Sequence, residues 1–380
     1  MRYLRASIMA LLLLSLILAA FLGGCGPRQP FPTPTPTRTP KPLVTPAPPP
    51  TPEPTPTLIP TPGLEPGRCP LTGERLDDPS KALRRPLMVK IGNDTRSRPQ
   101  FGLHRADIVV EHIAEGGITR LDAVYLCQDF EKIGPVRSAR LIDIPLAYLF
   151  DGILAHAGAS GGVLWWLEFQ TTFPRLNECA VPERGKYGDP GFVRGPQEGW
   201  PYNTFTSTSA LWQVAEERGW QQPMNVPPLP FGDLAPTASK EEVIQVTIPY
   251  YDNQVNWRWD AQGKRYLRFI NGVPHTEAST GEQIGAANVI IIWAEHKTTD
   301  IIEDENKQLS LEIILNRDPA IQGLGQAVVL RDGYYIPAHW LWMGTGHQLV
   351  LLDEGGTLLP LEVGNSWIEV VPLGLEIETG

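Results

Sequence analysis

Apolar and polar residues alternate along two stretches of the chain, which predicts two folded domains. In the first stretch the mixed runs indicate four strands, at residues 87–91, in the first half of 107–115, at 120–125 and at 153–157. Helical spacing predicts a helix over 141–150, where Pro145 would kink the helix or move its start. A further helix is expected over 206–218, with Ser207 or Thr208 as N-cap and Gly219 after its end. Strands mixed with helices indicate an α/β or α+β domain over residues 68–222.

A proline-rich connection over 223–239 separates this domain from a second series of alternating runs over 240–372, followed by a tail over 373–380. Two hairpins are expected, with turns at 260–263 and at Asp332-Gly333. Strands are also expected at 243–248, 289–293, 309–315, 349–352, 357–363 and 367–371. The pattern therefore predicts a mostly β second domain.

The first 24 residues have the pattern of an export signal. Arg2 and Arg5 form a basic region, and the 19 residues of 6–24 carry no charge. That run is also long enough for a transmembrane anchor. The string Leu22-Gly-Gly-Cys25, however, is similar to a bacterial lipobox, in which the cysteine is diacylated and becomes the new N-terminus. We predict a lipoprotein signal peptide over 1–24 and a lipid anchor on Cys25, at the extracytoplasmic face of the bacterial plasma membrane.

The segment 25–67 is predicted to be a disordered stalk. Residues 26–66 include 17 prolines and 9 threonines, which favour extended polyproline II over helix or sheet. At about 3.1 Å per residue such a stalk reaches up to roughly 130 Å. A spacer between membrane and folded domains is the preferred interpretation, with recognition by a proline-binding module as the alternative.

Charge is distributed unevenly along the chain. The formal net charge of −10 argues against nucleic acid as a partner. From residue 240 onward there are 9 Lys and Arg against 20 Asp and Glu, a balance of −11, whereas residues 81–142 have 11 against 7, a balance of +4. The basic segment is therefore locally unusual.

Beyond Cys25, three cysteines remain, and an exported chain permits one disulfide with three alternative pairings. Cys127 lies in an apolar run and is interpreted as a buried small residue. We therefore favour a bond between Cys69 and Cys179. The chain has no Cys-x-x-Cys motif, its histidines are scattered, and neither a metal nor another cofactor is predicted.

The basic segment contains the strongest candidate for a binding site. Arg137 and Arg140 lie in the string 133–140, and Arg98 and Arg120 lie beside turns that precede it. Guanidinium groups make paired hydrogen bonds to phosphate or carboxylate and stay charged. The alternative is internal pairing with carboxylates such as Glu111 and Glu115, or with Asp107 or Asp143. The predicted ligand-binding set is completed by Asn93, Glu111, Glu115 and His156.

Two catalytic arrangements are weaker. On a strand, Glu111 and Glu115 would lie about 13 Å apart, too far for paired-carboxylate hydrolysis unless the chain bends at Gly116. His156 with Ser138 or Ser160 would supply a base and a nucleophile, but the string 158–162 is not a Gly-x-Ser-x-Gly elbow. A glycine-rich turn beside a core histidine is the alternative interpretation.

Several strings of the chain resemble the YerB-like family of bacterial lipoproteins. They include Glu115-Gly-Gly-Ile-Thr-Arg120, Ile133-Gly-Pro-Val-Arg-Ser-Ala-Arg140 and Tyr202-Asn203, and the likeness extends over about residues 70–372. The resemblance implies an envelope-exposed lipoprotein with a characteristic second domain and no assigned activity. One departure is Pro201-Tyr202-Asn203, where an Ala-Pro-His-Asn-like string is expected, and the missing histidine argues against a catalytic role for that position here.

These observations together predict a membrane-anchored extracytoplasmic lipoprotein that binds an anionic ligand through its arginine-rich loop. The expected partners are the bilayer, through acylated Cys25, and an anionic wall polymer, a polyprenyl phosphate or an envelope protein. The alternative is a hydrolase or transferase that acts on wall glycan or on a lipid-linked substrate.

Overall fold

The computed structural model describes residues 65–380, apart from 181–187, 196–198, 200, 237 and 318–321. The predicted signal peptide, the predicted lipidation site Cys25 and nearly all of the predicted stalk therefore lie outside the described residues. Among the helices of the described residues, none combines the length and the apolarity needed to cross a membrane.

The first domain mixes strands with short helices. Its strands are β1 Leu87–Gly92, β2 Ile108–Ile113, β3 Thr119–Tyr125, β4 Ile153–His156, β5 Arg175–Asn177, β6 Phe192–Arg194 and β7 Thr204–Thr206. Its helices are α1 Asp143–Leu149, α2 Gly161–Phe169 and α3 Thr208–Glu217. The predicted mixture of strands and helices is confirmed.

The second domain is mostly β, also as predicted. Its first strands are β8 Glu241–Glu242, β9 Gln245–Pro249, β10 Gln254–Asp260, β11 Arg265–Ile270, β12 Val273–Pro274 and β13 Gly285–Ala286. They are followed by β14 Asn288–Ile302, β15 Leu309–Ile314, β16 Gly325–Arg331, β17 Tyr334–Leu341, β18 Val350–Asp353, β19 Ser366–Pro372 and β20 Glu378–Thr379.

Both domains contribute strands to one twelve-stranded sheet. Its main path is β18-β17-β16-β14-β19-β2-β3-β1-β4-β5, with β15 and β8 beside β14 and β17. The domains join where β19 pairs in parallel with β2, with Ser366 opposite Ile108 and Val370 opposite His112. The apolar run 289–293 in β14 suits a central strand that is covered on both faces. The boundary between the domains is therefore part of a continuous sheet.

Hydrophobic cores cover both faces of this sheet. On one face Leu146 of α1 and Val163 of α2 belong to the same core as Val110. On the other face Leu211 of α3 and Trp257 of β10 belong to the core that contains Val109. Neighbouring residues of a strand, such as Val109 and Val110, point to opposite faces of the sheet. The α1 and α2 helices therefore cover one face. The α3 helix and the smaller sheet, with strand order β12-β11-β10-β9-β20, cover the other face. Polar groups that lie between these cores, such as Glu111 and Glu369, are consequently buried.

The predicted helix ends follow from local chemistry. Ser207 caps α3, because its hydroxyl accepts a hydrogen bond of 3.1 Å from the backbone N–H of Ala210. Gly219, just beyond the helix, has a left-handed φ of 69°. Pro145 lies in the first turn of α1, so it moves the start of the helix instead of kinking it.

Two local features differ from expectation. The chain turns at Gly158 beside the buried His156, as expected, but the unpredicted helix α2 begins at Gly161, because the hydroxyl of Ser160 accepts from the N–H of Val163 and caps the helix. Residues 357–363 form no strand, and only Leu358 and Leu361 make isolated bridges. Pro360 lies between these bridges and has no N–H for a ladder.

The favoured disulfide was also wrong, since Cys69 bonds Cys127, with a Cα–Cα distance of 6.0 Å. Cys127 lies two residues beyond the end of β3. There the carboxylate of Asp107 accepts hydrogen bonds of 2.6 and 2.9 Å from the N–H groups of Leu126 and Cys127. This tertiary contact turns the chain towards Cys69, whereas the apolar pattern suggested only a buried residue.

Candidate functional site

The string 133–140 is held between the first sheet and the hairpin of β6 and β7. The N–H groups of Ile133 and Val136 donate to the carbonyl oxygens of Thr206 and Thr204, at 2.8 and 2.7 Å. The N–H of Arg137 donates to the carbonyl oxygen of Lys90 in β1, at 2.9 Å. The backbone therefore fixes Arg137 at the end of β1.

Arg120 and Arg137 meet at this end of β1 and share the carboxylate of Asp94. Arg120 Nη1 lies 3.9 Å and Arg137 Nη2 3.7 Å from Asp94 Oδ2. Hydrogen-bonded ion pairs have distances of about 2.7–2.9 Å. Asp94 already accepts bonds of 2.9 Å from the Ser97 hydroxyl and 3.2 Å from the N–H of Arg96. The two guanidinium groups are therefore under-paired.

The guanidinium group of Arg120 is desolvated as well as under-paired. The residue is 7% exposed, and its Nε is buried without a hydrogen-bond partner. Its Nη1 donates to the carbonyl oxygen of Thr119, at 3.2 Å. Burial, and then the charges of Arg140 and Arg137, lower the pKa of Arg120 to about 9. An added anion would relieve both the repulsion and the missing hydrogen bond.

Tyr202 lies on the outer side of the pair Arg120 and Arg137. The guanidinium carbons of Arg96 and Arg137 lie 4.0 and 4.8 Å from the centre of its ring. Arg137 Nη1 also donates to the carbonyl oxygen of Pro201, at 3.1 Å. Burial lowers the pKa of Arg137, whereas Arg96 is exposed. Tyr202, at the position where the resembling family has histidine, therefore orders two arginines at the surface.

Arg140 differs from the other predicted arginines because it is paired with carboxylates. It contacts Glu115 directly and lies 3.7 Å from a carboxylate oxygen of Glu303 in the second domain. Burial opposes its charge, but Glu115 and Glu303 outweigh burial and raise the pKa of Arg140. This triad joins the two domains, and Arg140 has less capacity for a ligand than Arg120 or Arg137.

Arg98 lies on the other side of Asp94, at the boundary with the second domain. Its Nη2 is 3.3 Å from Thr95 Oγ1 and 3.4 Å from Asn253 Oδ1, which are neutral acceptors. Burial, and then the charge of Arg268, lower the pKa of Arg98. Within the described residues no carboxylate lies within 4 Å of its guanidinium group. Arg96, Arg98, Arg120 and Arg137 are named the arginine cluster below.

Asn93 and Glu111, predicted as ligand-binding residues, lie beneath the arginine cluster in a buried network. Asn93 Nδ2 donates to Glu111 Oε1 and Thr119 Oγ1, at 3.0 and 2.7 Å. The second carboxylate oxygen of Glu111 contacts Arg268 of β11, whose guanidinium group lies 2.6 Å from His275 Nδ1. These fully buried contacts hold the domains together and support the cluster from below.

Glu369 lies in the same buried region, on β19. Its carboxyl group accepts bonds of 2.8 Å from the Tyr250 hydroxyl and from Trp257 Nε1. Burial, and then the charge of Glu111, raise the pKa of Glu369 to about 8. Burial and the neighbouring charge of Glu111 therefore favour the protonated form of this carboxyl. No motif indicated it, although a glutamate inside the apolar run 367–371 was a signal.

His156, the remaining predicted ligand residue, is buried away from the cluster. Its Nδ1 lies 2.9 Å from the carbonyl oxygen of Gly158, and burial lowers its pKa. The hydroxyl of Ser138 donates to the carbonyl oxygen of Ala157, at 3.2 Å, and that of Ser160 caps α2. Among the described residues, no serine hydroxyl is hydrogen-bonded to His156. The geometry provides no serine–histidine pair.

A buried lysine cluster lies close to Arg140 and was not foreseen. Lys90 Nζ lies 2.6 Å from His112 Nε2, 2.8 Å from Asp122 Oδ2 and 2.6 Å from Asp143 Oδ1. His112, Asp122 and Asp143 are close enough to hold a metal ion. The ammonium group, however, already lies at the position that such an ion would take. The sequence signal for this cluster was the presence of charged residues, Lys90 and Asp122, within the apolar runs 87–91 and 120–125.

The titration of this lysine cluster follows from its burial. Burial, and then the charge of Lys90, hold the pKa of His112 well below its usual value, so the imidazole is neutral. Burial raises the pKa of both aspartates, and their mutual repulsion adds to that of Asp143. The ammonium has three acceptors, and the cluster is closed.

The chain is similar to known proteins in both sequence and structure. A family model described as "Protein of unknown function (DUF3048) N-terminal domain" matches residues 71–221, and the corresponding C-terminal domain model matches 246–368. The chain is 31% identical over 312 residues to "Putative lipoprotein YerB" of Bacillus subtilis (strain 168), covering 80% of this chain and 86% of that one. It is also similar to the crystal structure of the YerB protein from Bacillus subtilis, with a TM-score of 0.67 and 29% identity, covering 82% and 99% of the two chains.

Proposed function

The chain belongs to the DUF3048 family, and from this membership and the geometry around Asp94 we propose a lipid-anchored extracytoplasmic protein that binds an anionic cell-envelope ligand. The lipobox-like string that ends at Cys25 and the similarity to the Bacillus subtilis protein named "Putative lipoprotein YerB" support the anchor. Several acyl chains on one cysteine hold a protein at a bilayer more firmly than one chain does. The proline-rich stalk then carries the folded domains away from the membrane.

The observation that carries the proposal is the shortage of carboxylate around Arg120 and Arg137. Both share Asp94 at 3.7–3.9 Å, and Arg120 Nε is buried without a partner. Arg98 adds a further guanidinium group that has only neutral hydrogen-bond acceptors, so the direct carboxylate contacts of these arginines are few. Such a shortage favours an anion, and guanidinium groups bind phosphate or carboxylate through paired donors.

The ligand we propose is a phosphate- or carboxylate-bearing envelope component. A polyprenyl phosphate, an anionic wall polymer and an acidic surface of an envelope protein share this chemistry. The ring of Tyr202 beside Arg96 and Arg137 adds an aromatic surface next to the charges. Because the hydroxyls of Ser138 and Ser160 have structural partners and His156 is buried, the proposal is for binding instead of bond cleavage.

Co-sedimentation tests this proposal with defined anions. The full chain is mixed with phosphatidylcholine vesicles that carry undecaprenyl phosphate, with purified wall teichoic acid, or with peptidoglycan. The double variant Arg120→Gln/Arg137→Gln should bind the preferred anion at least about tenfold more weakly, since a loss of 1.4 kcal/mol is one factor of ten. Binding by wild type should weaken as salt is added.

Arg258→Gln is the control, because it makes the same substitution and removes one positive charge at an exposed position on β10. It should bind as wild type does. Equal retention of the double variant and wild type on every anion, with both folded by circular dichroism, would remove the arginine cluster from consideration as a binding site.

A further inference from the structure

A polar cleft of about 360 Å³ opens between the two domains, away from the arginine cluster. The cleft lies at the end of β2 where Asp107 precedes the strand. Glu115 follows the opposite end of the same strand. At about 3.3 Å per residue the two ends lie roughly 25 Å apart. The loops 104–107 and 363–365 and the hairpin turn 263–265 line the cleft. Its volume is typical of sites for small molecules, which often lie between domains.

Three cationic side chains from both domains line this cleft: Arg105, Lys264 and Arg265. Arg105 Nη2 donates to Gln128 Oε1 at 2.8 Å, and Arg265 Nη2 donates to the carbonyl oxygen of Gly285 at 2.5 Å. Both acceptors are neutral. In the part of the chain that the structure describes, none of these cations lies within 4 Å of a carboxylate.

Arg265 has an unfilled donor at this place. Its Nε is buried and has no hydrogen-bond partner. Burial lowers the pKa of its guanidinium group, although Asp260 and Glu282 raise it. Lys264, beside it, has a left-handed φ of 49° at the tip of the hairpin. A bound anion would compensate both charges.

The carboxylates of the cleft, Asp107 and Glu74, have partners other than the three cations. Asp107 accepts two backbone N–H groups through one oxygen, and burial raises its pKa to about 6. Glu74 accepts from the hydroxyl of Thr72, at 3.2 Å. Neither contacts the three cations, so the positive charge of the cleft is not cancelled by contact.

We propose that this cleft binds a small molecule that bears a phosphate or carboxylate group, held by Arg105, Lys264 and Arg265. Guanidinium groups offer planar pairs of donors and the lysine adds a mobile charge. Because the first residue belongs to one domain and the other two to the second, the bound anion would bridge the domains. The proposal is independent of the function proposed for the arginine cluster.

Isothermal titration calorimetry of the full chain in detergent tests the cleft. Sulfate serves as a tetrahedral probe for phosphate groups, and glutarate as a probe for carboxylates. The test variant is Arg105→Gln/Lys264→Asn: Arg105 and Lys264 are exposed, and asparagine tolerates the left-handed backbone. This variant should bind the preferred anion at least about tenfold more weakly than wild type, one factor of ten being 1.4 kcal/mol.

Two control variants separate the cleft from other charges. Lys297→Gln removes an exposed charge outside the cleft, and Arg120→Gln/Arg137→Gln disables the arginine cluster; both should keep cleft binding. Binding of sulfate alone identifies a phosphate group, and binding of glutarate alone a carboxylate. The inference is wrong if neither anion binds, if the cleft variant binds as wild type does, or if only the arginine-cluster variant loses binding.

Discussion

Lys90 and Arg120 are both buried cations of the first sheet, but their surroundings differ. The ammonium of Lys90 has three acceptors at 2.6–2.8 Å, and its carboxylate partners are fully buried. Arg120 shares one carboxylate with Arg137 at 3.7–3.9 Å and keeps an unpartnered Nε. The ammonium of Lys90 is fully supplied with acceptors inside the protein, although Asp122 Oδ1 is buried without a partner, whereas the guanidinium group of Arg120 is not fully supplied. A buried charge therefore indicates a binding site only when its internal partners are insufficient.

The largest effect on the free energy of unfolding is expected for Lys90→Met, which removes the cation of the buried lysine cluster. Two buried aspartates would lose their cation, and breaking a buried pair in this way costs about 3–5 kcal/mol. Urea denaturation measures the free energy of unfolding. Lys297→Met, at an exposed position, should change it by less than about 0.5 kcal/mol. A loss below about 1 kcal/mol in Lys90→Met would show that the aspartates do not depend on the ammonium.

The buried carboxyl of Glu369 extends the comparison of buried charges to the pH dependence of the free energy of unfolding. Its folded-state pKa of about 8 lies above the ordinary 4.5, so its contribution to stability is complete below pH 4.5 and is lost as pH rises through 8. A tenfold difference in proton affinity between the folded and unfolded states corresponds to about 1.4 kcal/mol. Glu369→Gln should remove this loss, on the order of a few kcal/mol, and should exceed wild type in stability above pH 8. Parallel pH profiles of the two proteins in urea denaturation would contradict the assignment.

The smallest effect is expected for Arg120→Met, which removes the incompletely paired charge. Replacing such a cation by an apolar side chain of similar length should leave the free energy of unfolding within about 1 kcal/mol or raise it. Wild type should also gain thermal stability from added sulfate, because a ligand stabilises the state that binds it, and Arg120→Met should gain less. If Arg120→Met lowered the free energy of unfolding as much as Lys90→Met, the charge of Arg120 would be paired within the protein as that of Lys90 is.

Much of the fold was predictable because its signals are local. The hairpin at 260–263 and the turn at Asp332-Gly333 follow from turn residues between alternating runs, and both form as expected. Ser207 and Gly219 marked the ends of a helix through capping chemistry. The α2 helix was missed because its first residues are glycines, and Ser160 acts as N-cap despite them.

The candidate site was predictable only as a set of arginines. Their position in one basic segment indicated an anion site, and Arg120 and Arg137 do meet. Which of them are paired could not be read from spacing, because Arg140 meets Glu303 across 163 residues. The same applies to Glu111, whose partner Arg268 lies 157 residues away.

By itself the sequence predicted the order of segments, since the pattern of an export signal, a proline-rich stretch and alternating runs depend on neighbouring residues. It also determined the two-domain composition and the locally basic segment. The tertiary structure decided that β2 and β19 join the domains in one sheet, that Cys69 bonds Cys127, and which cations have enough partners. The reason is physical: pairing and desolvation depend on groups distant along the chain, and only the folded chain brings those groups within hydrogen-bonding distance.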